Sequence, residues 1–520
     1  MSDSTITFIV LGAVVVLFVS NRVPVAIIAI ATALSLWATG VLELDQALAG
    51  FGDPTVLFIA SLFVVSEALD STGVTAWAGQ VLIDRAGTER TRITMAMMLL
   101  CALVTALITP NASVAALVPV VVIIAIRVGQ PTSQLLIPLA YGAHGGALLA
   151  LTGSPVNVVV SDAADEAGIG RFGFFEFALT GIPLVIGTIV IVVVFGPRLL
   201  PHRNALSMPR DLTQLDRTLR QQYRVDGGRL FGHRYGAAEV IIPPRSAAIG
   251  DLAYPGMVTD SGQLTVIAVM RDGKRLDDPD TRLQAGDTLL VRGSWRALSA
   301  QIAEDDAVLA IDPPDLVRRQ AVPLGVGSKI AIGVLVAMVV VLATDLVPPA
   351  VAGLSAAGAL VLLGVLSVER AFSSIGWTTV VLVAGMIPLS TAMRVTGAAE
   401  SLAEQIVDLV GDAGPYALLI ALFVLTAVLG QLISNMATAL IVIPIALSAA
   451  AELDVAMAPV LMSLNVATSA ALLTPVATPA NLMVMEPGGY RFNDYWKLGV
   501  VVMAWFFVVG VVLVPLIWSF

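Results

Sequence analysis

The sequence predicts an all-α polytopic membrane protein built from two inverted repeats, with a small α+β domain inserted between them. Of its 520 residues, 57% are hydrophobic and 13% are charged, whereas soluble domains carry about 25% charged residues. The apolar residues form runs of about 20, the length that crosses a bilayer as a helix. Polar residues, prolines and glycines of the second half then repeat those of the first half in one register.

The apolar spans fall into two blocks. They begin near residues 5, 24, 54, 93, 135 and 174, and again near residues 330, 351, 380, 416, 457 and 498. Between the blocks the chain becomes charged and shows short alternating runs typical of strands. These changes predict an N-terminal transmembrane repeat (1–200), a linker (201–225), the inserted domain (226–308), a second linker (309–328) and a C-terminal transmembrane repeat (329–520).

Residue pairs at a constant separation indicate that one block duplicates the other. A single register over so long a stretch is hard to obtain by chance. The pairs, each 324 positions apart, include Pro24 and Pro348, Gly52 and Gly376, Asn111 and Asn435, Pro155 and Pro479, and Asn157 and Asn481.

The charges of the short loops predict the orientation of each repeat. Basic residues such as Arg22 and Arg198 mark one side, whereas the loops at 43–53 and 161–170 carry acidic residues. Because cytoplasmic loops are enriched in Lys and Arg, we expect both termini outside and the insert in the cytoplasm. The protein itself is expected in the inner membrane of the cell. The same bias places Arg370 inside, so the halves are expected to have opposite orientations.

Two stretches, residues 93–126 and 416–450, must then return to the side that they left, which predicts re-entrant hairpins. Polar residues interrupt the apolar runs at the hairpin tips (109–113 and 434–438) and in the following helix of each half (152–157 and 477–481). Non-helical backbone at membrane depth survives only inside protein or along a cavity. Paired discontinuous helices therefore predict a binding site near the midplane, where helix N-termini attract anions and free carbonyls hold cations.

The interiors of the hairpins and broken helices contain no Lys, Arg, Asp or Glu. A proton antiporter places titratable carboxylates there, so the sequence favours cation-coupled anion symport over Na⁺/H⁺ exchange. A neutral substrate stays open, as does the simpler interpretation that these Asn, Ser and Thr side chains only join helices by hydrogen bonds.

Three features outside the breaks have alternative interpretations. His144 is expected to be a structural hydrogen-bonding residue, with a proton-sensitive role as the alternative. Glu67 and Asp70 are expected at the membrane interface, with participation of Glu67 in coupling as the alternative. Amphipathic stretches at 74–86 and 398–409 are expected to lie on the membrane surface and hold the hairpins, or else to be solvated connecting helices.

The segment 478–492, TPANLMVMEPGGYRF, resembles the divalent anion:sodium symporter family of the ion transporter superfamily. The resemblance extends over both membrane blocks and is strongest to a branch that carries cytoplasmic domains and includes sulfate transporters. In that family, Ser-Asn-Thr hairpin tips contact the anion and, with the broken-helix loops, form two sodium sites. Asn111, Ser434 and Asn435 match these tips, but Ala112 and Met436 occupy the third position, which disfavours citrate-like substrates.

The resemblance implies two overlapping sets of ligands. The expected substrate ligands are Asn111, Ser113, Ser154, Pro155, Ser434, Asn435, Thr438, Thr478 and Pro479. The expected sodium ligands are Asn111, Gly153, Asn157, Asn435, Ala477 and Asn481.

The insert resembles the TrkA-C domain of potassium-conductance regulators at residues 238–250, 265–270 and 283–293. The resemblance implies a small α+β unit that dimerises and binds a small ligand such as a nucleotide. A passive dimerising spacer is the alternative, because the insert has neither a Gly-rich phosphate loop nor a Cys/His cluster.

Together these features predict a homodimeric, sodium-coupled importer of a sulfate-like oxyanion or dicarboxylate, surrounded by membrane lipid. Family resemblance implies an elevator mechanism. An exchanger or metalloid exporter of the same superfamily is the first alternative, and a ligand-gated channel is another. The sequence shows no nucleophile–base set typical of an enzyme and indicates no nucleic-acid partner.

Overall fold

The computed structural model describes residues 2–20, 22–74, 77, 89–203, 212–225, 230–231, 235–259, 262–295, 297–298, 308–310, 327–344, 346–410, 414–475 and 477–520. The chain forms two compact units. One contains Met1–Met208 together with Val326–Phe520, and the other is Pro209–Gly325. We call them the membrane unit and the insert.

The helices of the described residues follow one order in both halves of the membrane unit. In the first half they are α1 (Asp3–Ser20), α2 (Val25–Ala38), α3 (Leu44–Leu48), α4 (Pro54–Ser71), α5 (Arg90–Leu107), α6 (Pro110–Val128), α7 (Leu136–Gly146), α8 (Pro155–Glu166) and α9 (Ala178–Leu199). The insert contains α10 (Leu212–Tyr223). In the second half they are α11 (Ser328–Ala343), α12 (Pro349–Leu362), α13 (Val368–Ser374), α14 (Trp377–Val395), α15 (Ala398–Val410), α16 (Pro415–Leu432), α17 (Asn435–Glu452), α18 (Met457–Ser469), α19 (Pro479–Met485), α20 (Tyr495–Val508), and, after a π-helical turn at Val509–Leu513, α21 (Val514–Ile517).

The predicted spans and helices coincide. Each predicted start lies within four residues of an observed helix start. Eight helical segments of the described residues are long and apolar enough to cross a membrane. The second predicted amphipathic stretch forms the helix α15, and its place on the membrane surface stays a prediction. Almost all of the first stretch, residues 74–86, lies outside the described residues.

The two halves pack against each other reciprocally. Helix α2 packs against α14, and α12, which follows α2 by 324 positions, packs against α4. Small residues allow both crossings, because a Cβ at Gly385 would lie 2.6 Å from the carbonyl carbon of Ala29. A Cβ at Gly353 would lie 2.1 Å from Oγ of Ser61. The opposite membrane orientation of the halves stays a prediction from the loop charges.

Each predicted hairpin is a pair of helices joined by two residues. Helices α5 and α6 are connected by Ile108 and Thr109, and α16 and α17 by Ile433 and Ser434. Ile108 and Ile433 both have extended backbone (φ −129° and −128°). The two helices of each pair also contact each other, while their re-entrant course in the membrane stays a prediction.

Each predicted broken helix is interrupted. Helix α7 ends at Gly146 and α8 begins at Pro155, and α18 ends at Ser469 and α19 begins at Pro479. Proline suits the first position of a helix because that residue has no intrahelical partner for an N–H group. We call residues 147–154 the first break and residues 470–478 the second break.

The insert contains a five-stranded antiparallel sheet with the order β3-β2-β4-β1-β5. Its strands are β1 (Tyr235–Ile241), β2 (Leu264–Arg271), β3 (Lys274–Leu276), β4 (Thr288–Ser294) and β5 (Leu309–Ala310). Helix α10 packs against β2. This arrangement is α+β, as predicted, while membership of the TrkA-C family stays a prediction.

Two buried acidic residues join the parts of the insert. Asp287 is fully buried and accepts hydrogen bonds of 2.8 Å from Nε and Nη2 of Arg271, which raises the pKa of Arg271. Glu239 accepts a 2.7 Å hydrogen bond from the hydroxyl group of Tyr223 at the end of α10. Burial raises the pKa of Tyr223, so its phenol keeps the proton that it donates.

Candidate functional site

The first break is held by the amide group of Asn157, which is fully buried in α8. Its Nδ2 donates to the carbonyl oxygens of Ala147 (2.7 Å) and Ala150 (2.9 Å). The carbonyl of Ala150 also accepts from the backbone N–H of Gly153 (3.0 Å). Asn157 therefore adds side-chain hydrogen bonds to two carbonyls of the non-helical segment, where buried polar groups need partners.

The second break repeats this solution 324 residues later. Nδ2 of the buried Asn481 donates to the carbonyl oxygens of Ala471 (2.8 Å) and Thr474 (3.0 Å). In both breaks the acceptors precede the asparagine by ten and seven residues. The repeated Pro…Asn pattern thus has a shared structural purpose in both halves.

The remaining oxygen of each asparagine is bound from the opposite half of the chain. Nδ2 of Asn465, on α18, donates to Oδ1 of Asn157 over 2.9 Å. Nε2 of His144, on α7, lies 3.0 Å from Oδ1 of Asn481 and 3.5 Å from Oγ1 of Thr478. His144 and Asn465 are both buried. The asparagine that holds each break is therefore bound to the helix that precedes the other break.

The hairpins and the breaks form one packed body. Helix α6 packs against α19, and α17 packs against α8. At the first tip, Oδ1 of Asn111 accepts a 3.1 Å hydrogen bond from the backbone N–H of Ala480. Near the second tip, Gln431 donates to the carbonyl of Ala470 (3.1 Å) and accepts from the N–H of Leu473 (3.0 Å).

Several predicted substrate ligands also cap helices. The hydroxyl groups of Ser154, Ser434 and Thr478 accept hydrogen bonds from backbone N–H groups in the first turns of α8, α17 and α19. Ser113 donates to the carbonyl of Thr109 within its own hairpin (3.0 Å) and is fully buried. These hydroxyls define helix N-termini at the breaks and tips, where N–H groups favour an anion.

Other predicted ligands retain unsatisfied oxygens. Among the described residues, Oδ1 of Asn435 and Oγ1 of Thr438 are buried without a hydrogen-bond partner, and so is Oδ1 of Asn465. Leaving such an acceptor unpaired costs about 1–3 kcal/mol. Oxygens in this condition are suited to coordinating a hard cation such as Na⁺, which prefers oxygen ligands.

The predicted ligands that remain are Gly153, Ala477, Pro155 and Pro479, and their surroundings differ. Gly153 is buried in the first break, and a Cβ there would lie 2.5 Å from the carbonyl oxygen of Ala147. Ala477 is buried in the second break, where its N–H donates to Oγ1 of Thr474 (3.2 Å). Pro155 is partly buried and Pro479 is exposed, each at the first position of its helix.

Comparison with known proteins identifies the family. Residues 15–467 and 413–520 match the family model described as Citrate transporter. The chain belongs to the citrate transporter family. Together with the eight apolar helical segments, this membership makes the protein a multi-pass membrane transporter.

Known relatives of this citrate transporter family member match it over different lengths. It is 29% identical to the uncharacterized transporter YfbS of Escherichia coli (strain K12), over 98% of each chain. It is 26% identical to sodium/sulfate cotransporter 2 of Chlamydomonas reinhardtii, over 47% of this chain and 28% of that protein. It is also similar to the crystal structure of the YdaH transporter of Alcanivorax borkumensis, with a TM-score of 0.47, 13% identity and coverage of 93% and 87% of the two chains.

Part of the polar network of this transporter lies outside the residues predicted from the sequence. Asn465 and Gln431 belong to it, and each is an amide residue within a predicted apolar span. Tyr141 donates to the carbonyl of Leu472 (2.9 Å), and Tyr495 donates to the carbonyl of Asn481 (2.8 Å). Tyrosines in apolar runs carry no pattern that distinguishes such partners from ordinary core packing.

A second polar cluster fixes the segment that leads towards the insert. We call residues 200–203 the strap. Nε2 of Gln134 donates to the carbonyls of Leu200 and Pro201, each over 2.9 Å. The N–H of Arg203 donates to Oγ of Ser133 (2.9 Å), and its guanidinium binds Asp494 (2.8 Å). The strap is thus joined to the start of α7 in one half and to the segment that follows α19 in the other.

Proposed function

We propose that this transporter imports a small divalent oxyanion, with sulfate as the first candidate, together with sodium. The observation that carries the proposal is the uncharged interior of the hairpins and breaks, combined with the buried, unpartnered oxygens of Asn435 and Thr438. A dianion bound there has no Lys or Arg to offset its charge. Co-bound cations and helix N-termini supply that compensation.

The sodium part of the proposal is supported by the kind of atoms at the tip of the second hairpin. Asn435 and Thr438 lie in the first turn of α17 and offer an amide oxygen and a hydroxyl oxygen. Neither group titrates, so binding at these atoms follows the sodium concentration rather than the pH. In the first half, Asn111 and the carbonyls of the first break are the matching candidates.

The anion part is supported by four helices that begin at the tips and breaks. These are α6, α8, α17 and α19, and the first turn of such a helix is the positive end of its dipole. At α8 and α19 the N–H groups of Val156, Ala480 and Asn481 are already bonded to side chains of the site. The N-capping hydroxyl groups of Ser154, Ser434 and Thr478 are therefore the proposed donors, and hydroxyl donors beside positive helix ends suit a tetrahedral oxyanion.

Two observations divide the substrate candidates. The relatives named sodium/sulfate cotransporters favour sulfate, and the family model named Citrate transporter favours a carboxylate. Ala112 and Met436 replace the third residue of the tip pattern and remove two hydroxyl groups. This loss favours the smaller anion, and dicarboxylates such as succinate are the second candidate.

The mechanism that we propose is an elevator in a homodimer. The hairpins and broken helices pack as one body. The pairs α2–α14 and α4–α12, which pack closely at small residues, are the proposed scaffold. A rigid body that moves against such a scaffold would carry both half-sites across the membrane together.

We also propose that the insert is a cytoplasmic regulator that binds a small ligand, with a nucleotide as the first candidate. The strap supports this role, since it directly precedes the residues that lead into the insert and is bound to segments that flank both broken helices. We propose that the strap is the segment through which the state of the insert affects transport.

Uptake by the purified protein in proteoliposomes tests the transport proposal. Labelled sulfate, succinate and citrate are supplied with and without an inward sodium gradient, at several external pH values. We expect sulfate to accumulate only with the sodium gradient. Uptake that ignores sodium and follows pH would contradict the symport, and sodium-driven efflux of preloaded anion would favour an exporter.

A further inference from the structure

We propose that His144 and Asn465 are positioning residues that hold the two breaks in one mutual geometry, so that sodium binds to both halves as a unit. The proposal rests on the sodium coupling proposed above. Neither residue belongs to the ligand sets predicted from the sequence. Each acts through the asparagine of the opposite half: His144 through Asn481 and Asn465 through Asn157.

The hydrogen-bond inventory of the two asparagines supports this role. Both N–H groups of Asn157 and of Asn481 are used by carbonyls of their own break. Only the amide oxygen remains, and in each case a side chain from the other half binds it. Because both asparagines are fully buried, no water replaces a lost partner at low cost.

The residues that supply these bonds are not equivalent by the repeat. In the 324-residue register, His144 corresponds to Thr468 and Asn465 corresponds to Tyr141. The two halves therefore meet the same requirement with different residues at different positions. A bond inherited from duplication alone would use matching positions, so the shared outcome indicates a need for the bond itself.

The cross-half bonds connect the predicted ion ligands. The break held by Asn157 contains Gly153, and the break held by Asn481 contains Ala477. Helix α8, which begins beside Asn157, packs against α17, which carries the unpartnered oxygens of Asn435 and Thr438. Loss of either cross-half bond lets one break shift relative to the other half. Sodium must then restore that geometry when it binds, which weakens its apparent affinity.

Three variants separate positioning from simple packing. His144→Leu and Asn465→Leu remove the cross-half bond and keep an apolar side chain in the space. His144→Gln retains an N–H donor at a similar reach. Thr468→Val is the matched control, since within the described part of the chain its hydroxyl group bonds only to the carbonyl of Asn465 in its own helix (2.8 Å).

Two measurements are made on each full-length variant. One is the sodium concentration that gives half-maximal sulfate uptake in proteoliposomes, and the other is the rise in unfolding temperature that sodium produces in detergent without substrate. We expect His144→Leu and Asn465→Leu to raise the half-maximal sodium concentration about 3- to 20-fold, the range expected from interhelical hydrogen bonds. The maximal rate should change less than about twofold, since the bound geometry is restored by sodium.

His144→Gln should return the sodium requirement towards that of the wild type, and Thr468→Val should not change it. If the wild type depends on sodium while His144→Leu and Asn465→Leu keep its sodium requirement, the positioning role is wrong. A loss of maximal rate at unchanged sodium requirement also contradicts it. If the wild type shows no sodium effect on either uptake or unfolding temperature, the proposed symport itself has failed, which is a different result.

Discussion

Gly385 lies directly against the backbone of Ala29, so that a Cβ at Gly385 would stand 2.6 Å from both the carbonyl carbon and the carbonyl oxygen of Ala29. The same crossing occurs a second time with the halves exchanged. Gly353, the counterpart of Ala29, lies against Ser61, the counterpart of Gly385. The close approach of α2 to α14 and of α12 to α4 is therefore a property of both halves.

Gly385→Ala should destabilise the membrane unit. The added methyl group meets backbone atoms, which cannot rotate away, so α2 and α14 must separate. Overpacking of this kind costs about 1–3 kcal/mol. We expect a lower unfolding temperature of the purified protein in detergent than for the wild type.

Gly358→Ala is the control for this substitution, because a Cβ at Gly358 meets none of the described residues within 4 Å. Alanine is favoured over glycine inside a helix by about 1 kcal/mol, so this variant should unfold at the same or a higher temperature. Equal stability of Gly385→Ala and Gly358→Ala would show that the crossing is not tightly packed.

Asn111→Ala and Asn435→Ala should each lower sulfate uptake at least about tenfold, which corresponds to ~1.4 kcal/mol. The first removes the acceptor for the N–H of Ala480, and the second removes an unpartnered buried oxygen. Both variants should elute in size-exclusion chromatography like the wild type.

Ser373→Ala is a control for these losses, since among the residues that the structure describes its hydroxyl group bonds only to the carbonyl of Arg370 within its own helix (3.1 Å). Normal uptake by both asparagine variants would move the binding site away from the hairpin tips. Loss of uptake by Ser373→Ala would mean that the assay reports general damage.

Glu67→Gln should leave the sodium dependence of uptake unchanged. Glu67 binds Arg370 through a 2.9 Å ion pair that joins α4 to α13. Ion pairs with this degree of solvent exposure contribute about 0–1 kcal/mol, so a small fall in unfolding temperature is the expected effect. A change in the number of sodium ions transported per anion would instead place Glu67 in the coupling mechanism.

Asp287→Ala should loosen the insert while the membrane unit stays folded. The carboxylate is fully buried and is bound by Arg271 and by the N–H of Gln284. Leaving such partners unpaired costs about 1–3 kcal/mol. Hydrogen exchange of the full-length protein should show faster exchange in β2 and β4.

Asp277→Ala is the surface counterpart of that substitution. Its ion pair with Arg275 is 2.7 Å long, but its side chain is 66% exposed. We expect no resolvable change in hydrogen exchange within the sheet. If Asp277→Ala and Asp287→Ala have equal effects, burial of the carboxylate does not determine the stability of the insert.

Arg203→Ala should weaken the effect of the insert on transport without abolishing transport. It removes the 2.8 Å ion pair with Asp494 and the contact with the carbonyl of Gly489, and the backbone bonds of the strap to Ser133 remain. We expect uptake to persist and to respond less to nucleotides added on the side of the insert. An unchanged response would mean that the strap does not transmit the state of the insert.

The sequence predicted the positions of the elements well because membrane helices carry strong local signals. Helices α4 and α18 begin at Pro54 and Met457, the residues near which spans were expected. The two-residue connections at Thr109 and Ser434 follow from polar residues between apolar runs. Pro155 and Pro479 marked the start of the helix that follows each break. Proline has no backbone N–H group, so it is tolerated in the first turn of a helix but not in its interior.

The partners of the site residues were beyond prediction because they come from distant parts of the chain. His144 and Asn481 are 337 positions apart, and Asn465 and Asn157 are 308 apart. Neither pair follows the 324-residue register that made the repeat visible. Ser113, expected as a substrate ligand, donates to the carbonyl of Thr109 in its own hairpin, and its role towards the substrate stays a prediction.

The sequence by itself determined the membrane character, the duplication, the insert and the four polar interruptions, because hydrophobicity, proline and register are properties of local sequence. The tertiary structure alone decided how those interruptions are satisfied. A buried amide has two donors and one strong acceptor, and which groups meet them depends on how the helices cross. That is why Asn157 and Asn481, alike in sequence, are bound by an asparagine in one half and by a histidine in the other.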